Sequence, residues 1–318
     1  VAWAFATVAV LVPELQHGLG QEVCARAHDL TPQGITSVVW SFAVQRQPAL
    51  DDPSFYALAS EVRMRGAEFT PRGIASVAWA YASFATCLRF DVTPLFRSLV
   101  EVSLDKIQGF EPRDMSSLAW AFARTAAEGL GDADPRLTEA LAERSAARVE
   151  EFTPRAASAL AWAFAKLPRA DARISGLAEQ VAATRIAEFA PQDLSNLAWA
   201  HAQMACRASP TFCGALAKQA TSRLSAFSAQ GLSNFLWAFA TVRADGFDDL
   251  NASAAREVCS RLTRRPSSFG LQSLANTSWA FAVLHQSNAG GHDDELFAAL
   301  AKALRRELDG LNAGELPR

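Results

Sequence analysis

Phe189-Ala190-Pro191-Gln192-Asp193-Leu194-Ser195-Asn196-Leu197-Ala198-Trp199-Ala200-His201-Ala202 decides the fold, because this stretch recurs along the chain. Its closing phrase, Trp-Ala-Phe-Ala with small changes, begins at Trp3, Trp40, Trp79, Trp120, Trp162, Trp199, Trp237 and Trp279 and uses all eight tryptophans. Successive tryptophans are 37, 39, 41, 42, 37, 38 and 42 residues apart. A period near 40 with slight drift marks a repeat array. Such an array grows in one dimension, so 318 residues need not share one core.

Ten residues before each tryptophan from Trp40 onward stands a large apolar anchor: Leu30, Phe69, Phe110, Phe152, Phe189, Phe227 and Phe269. A further anchor is expected at Leu311. Helix starts follow the anchors, with Pro32, Pro71, Pro112, Pro154 and Pro191 at the first helical position and Thr31, Thr70 and Thr153 placed as caps. This helix, A, runs through the tryptophan phrase. A variable and often acidic loop follows (Asp51-Asp52, Asp132, Asp134, Asp245, Asp248-Asp249, Asp293-Asp294), then a second start at Pro13, Pro53, Pro94, Pro135 or Pro210. Helix B then returns to the next anchor. The expected fold is all-α: one solenoid domain, residues 1–318, of two-helix repeats of about 37–42 residues, with seven complete anchor-to-Trp units and partial units at both ends. Val1-Ala2-Trp3 opens inside a repeat and Leu311–Arg318 reads as the start of another, so the expectation is a segment of a longer protein.

Composition narrows the function. Half the residues are hydrophobic, the net charge is −3 and the pI is about 6.0, which excludes a generally basic nucleic-acid binder but not a local basic track. Cys24, Cys87, Cys206, Cys213 and Cys259 are scattered, with no CxxC pair, which argues against a zinc site or a disulfide framework. The apolar Val1–Val12 stretch stops at Pro13, short of membrane-spanning length, so no membrane insertion is expected. His17, His28, His201, His285 and His292 do not cluster with Ser, Cys or Asp in the repeat register. There is no HExxH and no Gly-rich phosphate loop, and Gly290-Gly291 reads as a loop insertion. No catalysis, cofactor, metal or small-molecule substrate is expected.

Within helix A, Ala157, Leu160, Ala161 and Phe164 form one apolar stripe, and the indoles are expected to fill the seam between units. His201 stands where the other copies have an aromatic ring and reads as a core variant. Four residues after the anchor come Gly34, Gly73, Asp114, Ala156, Asp193, Gly231 and Ser273. Seven after it come Ser37, Ser76, Ser117, Ala159, Asn196, Asn234 and Asn276; eleven after it the residue is Ala or Ser. These offsets share a small, polar face, which either receives a flat polar ligand or lets helices pack closely.

Four residues before the anchors stand Arg26, Arg65, Lys106, Arg148, Arg185, Arg223 and Arg265, cationic in all seven copies; Glu307 breaks the series. Three residues after the anchors stand Gln33, Arg72, Arg113, Arg155, Gln192, Gln230 and Gln272. A cation in a last turn complements the helix dipole. A ladder of cations and amides, with 26 Arg to 4 Lys, equally suits phosphate contacts. In the second case Arg26, Arg65, Lys106, Arg148, Arg185, Arg223, Arg265, Arg72, Arg113 and Arg155 hold phosphates, while Ser37, Ser76, Ser117, Asn196, Asn234, Asn276, Asp114 and Asp193 meet base edges.

The sequence resembles the octotricopeptide repeat family, whose unit of about 38 residues carries a Phe-x-Pro-Gln/Arg-x-Leu-Ser-Asn-x-x-Trp-Ala-x-Ala core. Phe189–Ala200 matches it almost throughout; Phe110–Ala123 and Phe227–Ala240 match closely, the latter with Ala229 for proline, and Phe269–Ala282 also lacks the proline, with Leu271 there. The resemblance implies an RNA-binding α-solenoid of mitochondria or chloroplasts that acts in transcript stability, processing or translation, or binds rRNA. It implies single-stranded or ribosomal RNA and the proteins of an organellar ribonucleoprotein assembly as partners. The nuclease-like RAP domain that often ends family members has no counterpart here. The competing expectation is a protein–protein scaffold, such as a subunit of an organellar ribosome, which the negative net charge and acidic loops favour.

Overall fold

The tryptophan phrases from Trp40 to Trp237 lie in helices whose start is fixed chemically, by a cap or a proline, a few residues earlier. The Thr31, Thr70 and Thr153 hydroxyls accept from the backbone N–H of Gly34, Gly73 and Ala156, each behind a proline at the first helical position. Ser228 does the same for Gly231 without a proline. These contacts satisfy N–H groups that a helix start leaves without partners.

The computed structural model describes residues 2–8, 12–45, 52–85, 87–88, 90–130, 133–168, 171–204, 209–242, 247–287 and 293–314. Asp51, Asp132, Cys206, Asp245, Gly290-Gly291 and His292 of the sequence reading lie outside them. The A helices are α1 (Ala2–Thr7), α3 (Pro32–Val44), α5 (Pro71–Phe84), α7 (Pro112–Ala127), α9 (Pro154–Lys166), α11 (Pro191–Gln203), α13 (Ala229–Thr241) and α15 (Leu271–Ser287). The B helices are α2 (Pro13–Arg26), α4 (Asp52–Arg65), α6 (Thr93–Asp105), α8 (Pro135–Ala146), α10 (Ala172–Arg185), α12 (Pro210–Thr221), α14 (Asp248–Arg264) and α16 (Asp293–Gly314). A three-residue 3-10 turn joins each B helix to the next anchor from Ala27–Asp29 to Pro266–Ser268, a link that side-chain spacing does not announce. The anchor expected at Leu311 falls inside α16, which continues to Gly314.

The fold is all-α, with no strand among the described residues. It divides into two units, Val1–Leu177 and Ala178–Arg318. In the first unit α3 packs on α5, α5 on α7 and α7 on α9, while α4 meets α6 and α6 meets α8. In the second, α11 packs on α13 and α13 on α15, while α12 meets α14 and α14 meets α16. Each unit is thus a run of helix pairs stacked in chain order, the arrangement of an α-solenoid.

Small residues bring the A helices together. The residue eleven after the anchor is buried in every repeat from Ser41 to Ala280. In two repeats the hydroxyl six after the anchor donates to the next repeat's backbone: Ser116 to the Ala156 carbonyl at 2.8 Å, and Ser195 to the Gly231 carbonyl. The aromatic twelve after the anchor turns toward helix B. Phe122 meets Phe96 edge-on at 5.2 Å, and the Tyr81 hydroxyl donates to the Phe55 carbonyl at 2.7 Å. His201 is buried in the same place, 4.5 Å from the Phe212 ring, with Nε2 3.3 Å from Glu179 and Nδ1 3.1 Å from the Leu197 carbonyl.

Candidate functional site

The tryptophans are not sealed in the seam between repeats. Trp40, Trp79, Trp120, Trp162, Trp199 and Trp237 are half-buried, and Trp279 is 45% exposed. Neighbouring rings touch within each unit, Trp79 with Trp120 at 6.3 Å and Trp237 with Trp279 at 6.2 Å. Lys166 lies 5.8 Å over the Trp162 ring.

This shifts the outward face of helix A. Offsets 4, 7 and 11 were the expected stripe. Offset 11 is buried throughout, and at offset 4 Gly73, Ala156, Asp193, Gly231 and Ser273 are buried. The cause is the close A–A contact: a Cβ on Gly73 would stand 3.3 Å from the Thr36 hydroxyl, and one on Gly231 3.3 Å from the Ser195 hydroxyl. Asp193, expected to meet base edges, turns back to accept from the Ala190 N–H at its own helix start. Asp114 is half-buried beside Arg72 and Arg113, and burial raises its carboxyl above the ordinary range. The open stripe runs instead through offsets 3, 7 and 10, which helical geometry also aligns. At offset 3, Gln33, Arg72, Arg113, Arg155, Gln192, Gln230 and Gln272 are all exposed. At offset 7, Ser37, Ser76, Ser117, Ala159, Asn196, Asn234 and Asn276 are half-exposed.

The cations before the anchors are occupied differently. Each sits where helix B gives way to the 3-10 turn, and the side chains of Arg65, Lys106, Arg148 and Arg223 reach back to the preceding repeat. Arg65 donates to the Leu30 carbonyl at 2.9 Å, Lys106 to the carbonyls of Phe69 and Ala67 at 2.7 Å, and Arg148 to the Phe110 carbonyl at 2.7 Å. In the second unit Arg223 donates to the carbonyls of Phe189 at 3.0 Å and Ala187 at 2.9 Å. The anchor's carbonyl lies outside any helix, so it is an acceptor in need of a donor. Arg265 does not follow. Arg261, one turn earlier, takes the Phe227 carbonyl at 2.8 Å and the Leu224 carbonyl at 2.7 Å, leaving Arg265 exposed.

Four of these cations also pair with an acid three residues on: Arg26 with Asp29, Arg65 with Glu68, Arg148 with Glu151 and Arg185 with Glu188. Hydrogen bonds from the arginines hold the Glu68, Glu151 and Glu188 carboxyls below the ordinary range. The sequence carried this signal, since an acid stands just before the anchor in each of these repeats. By contrast, Arg72, Arg113 and Arg155 make no side-chain hydrogen bond or ion pair to a described residue, although Arg72 and Arg113 act electrostatically on Asp114.

Both the ladder and the stripe lie largely within the stretch that a family model recognises. Residues 2–246 match the RNA-editing substrate-binding complex 6 protein family. The chain belongs to that family. The complex 6 family match spans the anchors from Leu30 to Phe227. The repeat of Phe269, Gln272, Asn276 and Trp279 lies beyond the matched residues yet keeps the same offsets. No match is found among curated proteins. Among the described residues, no three His, Cys, Asp or Glu side chains are grouped to hold a metal ion, and no helix is long and apolar enough to cross a membrane.

Proposed function

We propose that this chain binds single-stranded RNA along the outward stripe of its A helices and performs no chemistry on it. The observation that carries the reading is the set Arg72, Arg113 and Arg155: exposed, with no ion pair to a described residue, and one repeat apart beside half-buried indoles. Guanidinium groups supply phosphate contacts, indole faces supply base stacking, and the hydroxyls and amides seven after the anchor supply base-edge donors and acceptors. The name of the matched family, which speaks of substrate binding in RNA editing, supports this class of ligand. Of the phosphate set expected from sequence, the three arginines after the anchors and Arg265 are exposed and donate no side-chain hydrogen bond to a described residue. Arg65, Lys106, Arg148 and Arg223 spend donors on backbone carbonyls. An octotricopeptide-type role on organellar transcripts or rRNA belongs to the same reading, and the repeat core supports it.

The test is binding of a short RNA over a salt series. The triple substitution Arg72→Gln, Arg113→Gln, Arg155→Gln is expected to weaken every RNA and lower the salt slope by roughly one per arginine removed. An unchanged slope would overturn the assignment. A second reading, a protein scaffold within a ribonucleoprotein particle such as an organellar ribosome, is favoured by the internal use of the ladder cations and the net charge of −3. It predicts binding only at very low salt.

A further inference from the structure

The outward stripe carries different chemistry in the two units. In the first its rungs are Gln33/Ser37/Trp40, Arg72/Ser76/Trp79, Arg113/Ser117/Trp120 and Arg155/Ala159/Trp162. In the second they are Gln192/Asn196/Trp199, Gln230/Asn234/Trp237 and Gln272/Asn276/Trp279, one rung repeated three times. Guanidinium offers donors only and carries a full charge, so it suits phosphate contacts, which are the same along any sequence. Neutral amides gain less from phosphate, having no charge to pair with it. They offer a carbonyl acceptor and an NH₂ donor side by side, the complement of a base edge.

In the first of these rungs the two amides form a pair. Gln192 donates to the Asn196 carbonyl oxygen at 2.9 Å, which leaves the Asn196 NH₂ and the Gln192 carbonyl facing outward. Gln230 and Gln272 are exposed and Asn234 and Asn276 half-exposed at the same offsets. Register is held from helix to helix by the Ser195 hydroxyl on the Gly231 carbonyl and by the Trp237–Trp279 ring contact.

Resting on the RNA-binding reading, we propose that residues 178–318 read a run of three identical nucleotides, each base meeting one Gln–Asn pair beside one indole. Three rungs of the same residues at the same offsets carry the same kinds of donor and acceptor, and helical-repeat readers address about one base per repeat. The first unit's arginine rungs contribute affinity without this preference.

The experiment is competition binding of the full chain with the four homopolymeric hexaribonucleotides and a mixed-sequence hexamer at near-physiological salt. One homopolymer is expected to outcompete the mixed sequence by at least about tenfold, the discrimination of one good amide–base pair. Asn196→Ser, Asn234→Ser and Asn276→Ser together, which install the first unit's residue, should erase that margin, so that the favoured homopolymer binds no more tightly than the mixed sequence. Tight binding of all five RNAs with no preferred homopolymer overturns the proposal while leaving the RNA-binding reading intact. A preference that survives the triple substitution also overturns it. Failure of every RNA to bind removes both.

Discussion

Arg261 and Arg265 stand one helical turn apart, and only Arg261 reaches backbone acceptors of the preceding repeat. Removing a charged donor from acceptors that stay buried costs about 1–3 kcal/mol. Arg261→Ala should therefore lower the denaturation midpoint by that much, while Arg265→Ala should stay within about 0.5 kcal/mol of the parent. Equal costs for the two would show that the carbonyl contacts are not what the cation contributes. The tryptophans allow a second comparison. Phe110 is fully buried, and Phe110→Ala should cost about 3–5 kcal/mol in the same measurement. Trp120 is half-buried, so Trp120→Ala should cost only about 1–2 kcal/mol despite the larger side chain, and should also weaken RNA binding. Sequence spacing located the ladder but not its partners. The acceptors are backbone carbonyls some 34 to 39 residues upstream, which no side-chain pattern records.

At the scale of the helix, boundaries were legible and faces only in part. Prolines and threonine caps act within four residues of the helix start, so the sequence states them directly. Which stripe faces outward depends on how closely neighbouring helices approach. Offset 7 lies between the expected stripe and the observed one, so Ser76 or Asn196 fits both patterns, whereas Gly73 and Asp193 are claimed by packing and capping. The indoles were assigned to the seam because they are large and apolar, yet an indole also tolerates a half-wet surface. Two glycines probe the packing with opposite signs. A Cβ on Gly66 would stand 2.8 Å from Cγ2 of Val102, whose β-branched side chain has little rotamer freedom in a helix. Gly66→Ala should cost about 1–3 kcal/mol, with recovery on adding Val102→Ala. Gly214, inside α12, has open space where a Cβ would stand, so Gly214→Ala should stabilise by about 0.5–1 kcal/mol. Thermal melts of the three variants check both signs, and a stabilised Gly66→Ala would refute the close contact of the 3-10 turn after α4 with α6.

Across the whole chain, arginine–carboxylate contacts set the response to acid. Hydrogen bonds from Arg136 and Arg173 hold the Asp134 and Asp171 carboxyls below the ordinary range, and hydroxyl and backbone donors of Thr93 do the same for Asp91. Glu68, Glu151 and Glu188 are lowered by their ladder arginines. A carboxyl lowered on folding stabilises the native state above its unfolded pKa, and that stabilisation is lost as pH falls through the lowered folded value. The window therefore lies below about pH 4, where unfolded Asp and Glu begin to take up protons. Asp114, raised by burial, works in the opposite sense, since its protonated form suits the fold better and acid relieves the cost of its charge. Six lowered groups against one raised predict a net fall in stability on acidification. The denaturant midpoint should be flat from pH 7 to 5 and drop between pH 4 and 3. Arg136 and Arg173 also bridge repeats, to Glu101 at 2.5 Å and Glu139 at 2.9 Å, so their contacts tie α6, α8 and α10 in series. Replacing both by Gln should lower the plateau and make the acid limb shallower, because Asp134 and Asp171 would then titrate near their unfolded values. An acid limb of unchanged steepness in that variant would place the proton uptake on other groups.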